Sequence, residues 1–115
     1  MIKNVGIDIV KNNRITASPE FVKKLLSPVE YEYYSKISNL NRQIEYLAGR
    51  WAAKEAIIKA INHERIVLNE ISITLSDNKI IVVDGVPLQR NEQLNVSISH
   101  EQEYSVAVAI LSENN

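Results

Sequence analysis

At 115 residues, 45% hydrophobic and 23% charged, the chain has the length and balance of one globular domain with a single core, so residues 1–115 read as one unit. A formal net charge of −1 gives no overall electrostatic case for nucleic-acid binding, and the lack of cysteine excludes disulfides, thiolate metal sites and cysteine nucleophiles. The opening MIKNVGIDIV is too short an apolar run for a signal peptide, and no stretch approaches the roughly eighteen apolar residues of a membrane span, so a cytoplasmic location without membrane attachment is expected.

Residues 2–10 alternate as a strand, with Val5, Ile7 and Ile9 on one face and Gly6, Asp8 and Val10 on the other. Lys11, Arg14, Lys23 and Lys24 follow, and between 11 and 24 only Glu20 offsets them. Such a cluster suits an acidic partner, although a solvated basic face is its commoner meaning. Ser18 before Pro19 opens a short helix through about Leu26. Ser27, Pro28 and Glu30 then form a capping box that opens a second, to about Ile37. Beyond SNLNR a long helix is expected from about Arg42 to Ile61, with Ile44, Leu47, Ala48, Trp51 and Ile58 marking a buried stripe. The period then shortens to 2. IVLNEISITL, KIIVV, LNVSISH and YSVAVAIL read as four strands, joined by SDN, by DGVP and by a tight turn at Glu101 and Gln102, with a frayed SENN tail. The order β-α-α-α-β-β-β-β describes an α+β domain, one long helix packed on a mostly antiparallel sheet.

Four polar residues break the apolar pattern: Asp8 in a strand, Glu55 on the helix stripe, Lys59 one turn later, and His100 at a strand end. A carboxylate drawn toward a core needs a proton, a cation or a metal to offset its lost hydration. If Asp8 and Glu55 converge, their hard oxygens suit Mg2+, which keeps waters that a substrate phosphate can replace. The simpler readings are a helical Glu55–Lys59 ion pair, a strand-ending Asp8 and a structural His100. Arg50 and Lys54, one turn apart, read most simply as solvent-facing.

Three blocks in order, GIDIV with Arg14 behind it, YLAGRWAAKEAIIKA, and VSISHEQEY, resemble the holo-acyl-carrier-protein synthases, the small trimeric class of 4′-phosphopantetheinyl transferases. The middle block is the specific one, and the resemblance covers most of the chain. It implies that Asp8 and Glu55 hold Mg2+ together with the coenzyme A pyrophosphate, with Lys59 near the phosphates as a third catalytic residue. It also implies that His100 lies toward the phosphoadenosine end, that Arg42, Arg50 and Pro87 line the coenzyme, and that Arg14 meets the acyl carrier protein. Lys11, Lys23 and Lys24 would extend that basic contact toward an acidic carrier. The implied reaction is attack by a carrier serine on the β-phosphorus of coenzyme A, releasing 3′,5′-ADP, in a homotrimer with sites at subunit boundaries.

The chain departs from the family pattern at INHER in place of a glycine-containing turn, at Ile58 in place of a serine, and at GVP in place of GKP. All three fall on the coenzyme side. Two other classes fit the same residues: a metal-dependent phosphoanhydride hydrolase, and a non-catalytic coenzyme- or carrier-binding module.

Overall fold

The computed structural model describes residues 1–62 and 66–114; His63, Glu64 and Arg65 of the INHER segment, and Asn115, lie outside the described residues. In chain order the elements are β1 (Ile2–Lys11), a 3-10 turn (Asn12–Arg14), α1 (Pro19–Leu25), α2 (Pro28–Ser35), α3 (Leu40–Ile61), a second 3-10 turn (Leu68–Glu70), β2 (Ser72–Leu75), β3 (Ile81–Asp84), β4 (Glu92–His100) and β5 (Tyr104–Glu113). The expected α+β order holds, and every pairing is antiparallel. The strands form two sheets rather than one: β1-β5-β4, and a β2-β3 ribbon.

The caps explain where the helices begin. The Ser18 hydroxyl accepts from Phe21 N–H at 3.2 Å, and Ser27 and Glu30 complete the reciprocal capping box. Helix α3 starts two residues earlier than the apolar pattern suggested, because Asn39 caps it by accepting from Arg42 N–H at 3.1 Å. Helix α2 stops at Ser35, short of Ile37. The expected strand over IVLNEISITL is also shorter. Only Ser72–Leu75 pair with β3, because the backbone just before them is committed elsewhere. The Leu68 carbonyl accepts from the Lys54 ammonium at 2.9 Å, and the Glu70 carbonyl lies where a side chain at position 85 would fall. Gly85 meets that crowding with φ +85°. At the other end β5 runs into the SENN tail, where Glu113 N–H donates to Met1 O and the Met1 ammonium donates back to Glu113 O, both at 2.9 Å.

Helix α3 is covered on two sides, which corrects the expected stripe. Gly49, Ala52, Ala53, Ala56, Ile57 and Ala60 are the buried residues facing the sheets, while Ile44, Trp51 and Ile58 are only half-buried. Small side chains let β1 come close: a Cβ at Gly6 would fall onto the Ala56 carbonyl oxygen. The opposite side of α3 packs Leu47 against Val22, Leu25 and Leu26. Glu55 therefore sits on the strip between two covered faces, half-buried, and not in the core.

The buried charge is Lys54, contrary to its expected solvent-facing position. Its side chain and that of Glu30 are both 0% exposed, with Nζ 2.6 Å from Glu30 Oε1. Lys54 also donates to Leu25 O at 2.6 Å and Leu68 O at 2.9 Å, so all three ammonium protons are used. Glu30 accepts from Ser27 N–H at 2.9 Å and from Ile73 N–H at 3.0 Å. Burial pulls the Lys54 ammonium below the usual lysine value, and Glu30 holds it up. One pair thus ties α1, α2, α3, the second 3-10 turn and β2 together.

Candidate active site

The close approach of β1 to α3 creates the first centre. Asp8 sits on the β1 face that turns toward α3, the face of Gly6 and Val10, and is paired in register with Ala107. Lys59 crosses from the helix, its Nζ donating to Ile7 O at 3.0 Å and to Asp8 Oδ1 at 3.1 Å. Their side chains are 53% and 19% exposed, so the pair opens to solvent. The Asn4 amide donates to Ala60 O at 2.9 Å and pins the last turn of α3 beside β1. Glu55, one turn before Lys59, completes the group. Partial burial first, then the nearby Asp8 carboxylate, raise the Glu55 carboxyl above its ordinary range, and Lys59 opposes them.

The two carboxylates offer hard oxygen donors, matched to Mg2+. Among the described residues no third acidic or histidine side chain joins them, so the remaining ligands of a cation there would be waters or substrate oxygens. The residues fit such an ion: like charges close enough to raise one pKa are what a divalent cation relieves. The same repulsion bears on stability. A raised folded pKa means that the contribution of Glu55 is fully present below its unfolded value and lost as pH rises through the folded one. Glu55→Gln is therefore expected to melt no lower than the parent at pH 7, with any gain vanishing below the ordinary glutamate pKa; thermal melts across that range check it.

Arg42, Arg50 and His100 lie elsewhere. They line a cavity of about 370 Å³ with Tyr33, Glu45 and Tyr46. His100 Nδ1 is 3.9 Å from Glu45 Oε2, and Tyr33 stacks on Tyr46 with ring centroids 5.2 Å apart. Burial pushes the Tyr46 hydroxyl up to about 12, against the pull of Arg50. Arg50, expected in solvent, is only 17% exposed at its side chain, and its guanidinium carbon lies 4.2 Å over the Tyr46 ring. Tyr33 and Tyr46 were not singled out from the sequence, and Glu30 was marked there only as a helix cap, by its capping-box spacing.

The structure thus brings Asp8, Glu55 and Lys59 together and keeps them apart from Arg42, Arg50 and His100. Thirteen residues of helix put Arg42 about 20 Å along the axis from Glu55, and Arg50 projects about 140° away from it. Pro87 takes a third position, lining a groove of about 550 Å³ with Asn4 and Ala60 at the end of α3. Val86 packs on the main core, so the residue standing in GVP is a core filler. Lys11, Arg14, Lys23 and Lys24 are exposed and make no ion pair among the described residues. Lys23 rims a mostly apolar groove of about 940 Å³ between α1 and α2, which holds none of the acidic-centre residues.

Known proteins share this architecture. The sequence profile of the 4′-phosphopantetheinyl transferase superfamily matches residues 4–109. The chain is 43% identical to the holo-[acyl-carrier-protein] synthase of Mycoplasma capricolum subsp. capricolum, over 96% of this chain and 94% of that protein. It is 40% identical to the holo-[acyl-carrier-protein] synthase of Halalkalibacterium halodurans, over 96% of each. The fold superposes on the crystal structure of a holo-(acyl-carrier-protein) synthase from Bacillus anthracis str. Ames in complex with CoA (3′,5′-ADP), with TM-score 0.86 and 29% identity over 99% of both chains. No helix among the described residues is long and apolar enough to cross a membrane. The chain belongs to the 4′-phosphopantetheinyl transferase superfamily.

Proposed function

We propose that this chain is a holo-acyl-carrier-protein synthase, moving the 4′-phosphopantetheine group of coenzyme A onto a serine of apo-acyl carrier protein in the cytoplasm. The observation that carries the reading is the meeting of Asp8, Glu55 and Lys59 where β1 closes on α3, in a chain of this superfamily. Asp8 and Glu55 would hold Mg2+, which when bound supplies charge to polarise the phosphate and offset negative charge in the transition state. The serine oxygen forms a bond to the β-phosphorus and the bond to the 3′,5′-ADP oxygen breaks. The serine proton passes to Glu55 or to a water at the centre. Lys59, already beside Asp8, donates to the 5′-phosphate oxygen of the departing 3′,5′-ADP.

Arg42, Arg50 and His100 take the coenzyme's phosphoadenosine end, with Pro87 beside the chain that links it to the centre. Because the two groups are far apart within one copy, a complete site takes its acidic centre from one subunit and its cavity from the next. The outer face of β1-β5-β4 supports such assembly: Val5, Ile7 and Ile9 are 50%, 61% and 65% exposed, and Val106, Val108 and Ile110 extend the patch on β5. A homotrimer covers it. Arg14 with Lys11, Lys23 and Lys24 meets the acidic carrier and mainly speeds its encounter.

Purified protein given coenzyme A, Mg2+ and apo-carrier is expected to yield a phosphopantetheine adduct on the carrier by mass spectrometry, stopped by chelation. Coenzyme consumed without carrier would mark a phosphoanhydride hydrolase. Binding with no product would mark a non-catalytic module.

A further inference from the structure

Arg50 enters its cavity already clamped on three sides. Its Nη2 donates to Ile73 O at 3.0 Å, its guanidinium lies 4.2 Å over Tyr46, and its Nε stands 3.8 Å from Glu30 Oε2. Each of these partners leads back to Glu30. The Ile73 N–H donates to Glu30 Oε2 at 3.0 Å, which fixes the peptide segment whose carbonyl takes Arg50. The Tyr46 hydroxyl donates to the Glu30 backbone carbonyl at 3.3 Å, which fixes the ring beneath the guanidinium. Glu30 itself has no freedom: it is 1% exposed and its Oε1 is held by Ser27 N–H and Lys54.

Arg50 Nε is buried without a hydrogen-bond partner among the described residues, so the carboxylate 3.8 Å away is what offsets its burial. A guanidinium carries five N–H donors in a planar fork. One goes to Ile73 and one faces Glu30, so the others remain for a ligand in the cavity. Lysine lacks that fork and cannot be held in this way.

We infer that Glu30 is a positioning residue for the coenzyme, acting through Arg50: it sets the guanidinium's place and plane before an anionic ligand arrives, lowering the ordering cost of binding. The inference rests on the reading that this cavity takes coenzyme A. It gives the capping box of α2 a second task, since the carboxylate that starts the helix also orients a ligand-binding arginine.

The test is a binding cycle read by calorimetry with coenzyme A, using Glu30→Gln in a Lys54→Met background so that neither member of the Glu30–Lys54 pair is left as an unpaired buried charge. Coenzyme affinity is expected to fall about tenfold in that double variant, about as much in Arg50→Gln, and no further when all three changes are combined. In the double variant, which leaves Arg50 in place, the turnover number at saturating coenzyme should stay within about twofold of the parent while the affinity falls. Wild-type affinity in the double variant, or losses that multiply in the triple one, overturns the inference. If that double variant does not fold, Glu30→Asp carries the test, because it keeps the charge that pairs with Lys54 and draws the carboxylate back from Arg50 Nε and Ile73 N–H. About threefold weaker binding that disappears in the Arg50→Gln background supports the inference, and unchanged binding overturns it. Absence of coenzyme binding by the parent protein is a different failure, that of the cavity assignment itself.

Discussion

Glu55→Gln is expected to lower Mg2+-dependent transfer at least about a hundredfold while leaving the fold intact. The amide keeps the shape of the side chain and removes the charge that would share a cation with Asp8. Nothing in the core depends on it, since Glu55 lies on the strip of α3 between two covered faces. Its carboxylate is in fact strained by its surroundings, with partial burial and Asp8 both disfavouring ionisation. A side chain that loses activity on neutralisation and loses no stability is one retained for chemistry. Circular dichroism and melting at pH 7, measured on the same preparation as the transfer rate, separate the two effects. Wild-type transfer by this variant would remove Glu55 from the reaction.

Lys54→Met is expected to do the opposite, costing about 3 kcal/mol of stability because it leaves the buried Glu30 carboxylate with only the more distant Arg50 guanidinium, 3.8 Å away, to offset its charge. Glu30 is 0% exposed at its side chain, where α2, α3 and β2 meet. Adding Glu30→Gln to Lys54→Met should recover most of the loss, since a neutral buried pair is often as stable as the ionic one. Urea unfolding of both variants measures it. Equal destabilisation in the single and double variants would mean that packing, not charge, is what Lys54 contributes.

These two residues show where the sequence was readable and where it was not. Capping chemistry is local, so Ser18–Pro19 and the Ser27–Glu30 box place α1 and α2 directly. The period of 2 in β1, β4 and β5 likewise predicts their faces, including the apolar outer row Val5, Ile7 and Ile9. Helix α3 is different because it is covered on two sides. Its large apolar residues suggested one stripe, yet the sheet rests on the small ones, where Gly6 permits contact with Ala56. That error placed Glu55 in the core and Lys54 in solvent, when the positions are nearly reversed. The partner of Lys54 is 24 residues away on another helix, a separation no local pattern reports.

The candidate site follows the same division. Asp8, Glu55 and Lys59 were legible as polar interruptions of apolar runs, and the structure brings them together. The family resemblance placed Arg42, Arg50, Pro87 and His100 around the same ligand, but within one copy they lie in a different cavity and groove. Periodicity describes a chain and not its assembly, so residues that share a site across a boundary cannot be paired by spacing. The outward apolar face of β1 and β5 is the surface that the proposed assembly would cover.

The account is tested most directly by mixing two inactive variants, Glu55→Gln and the double replacement Arg42→Ala with His100→Ala, by unfolding and refolding them together at equal concentration. In a cyclic trimer every mixed assembly contains one junction where an intact acidic centre meets an intact cavity, so about a quarter of the sites should regain transfer to the carrier. Activity near that level is the predicted result. Mixed assemblies that form but stay as inactive as either parent would contradict the claim that one copy supplies the acidic centre and its neighbour the coenzyme cavity.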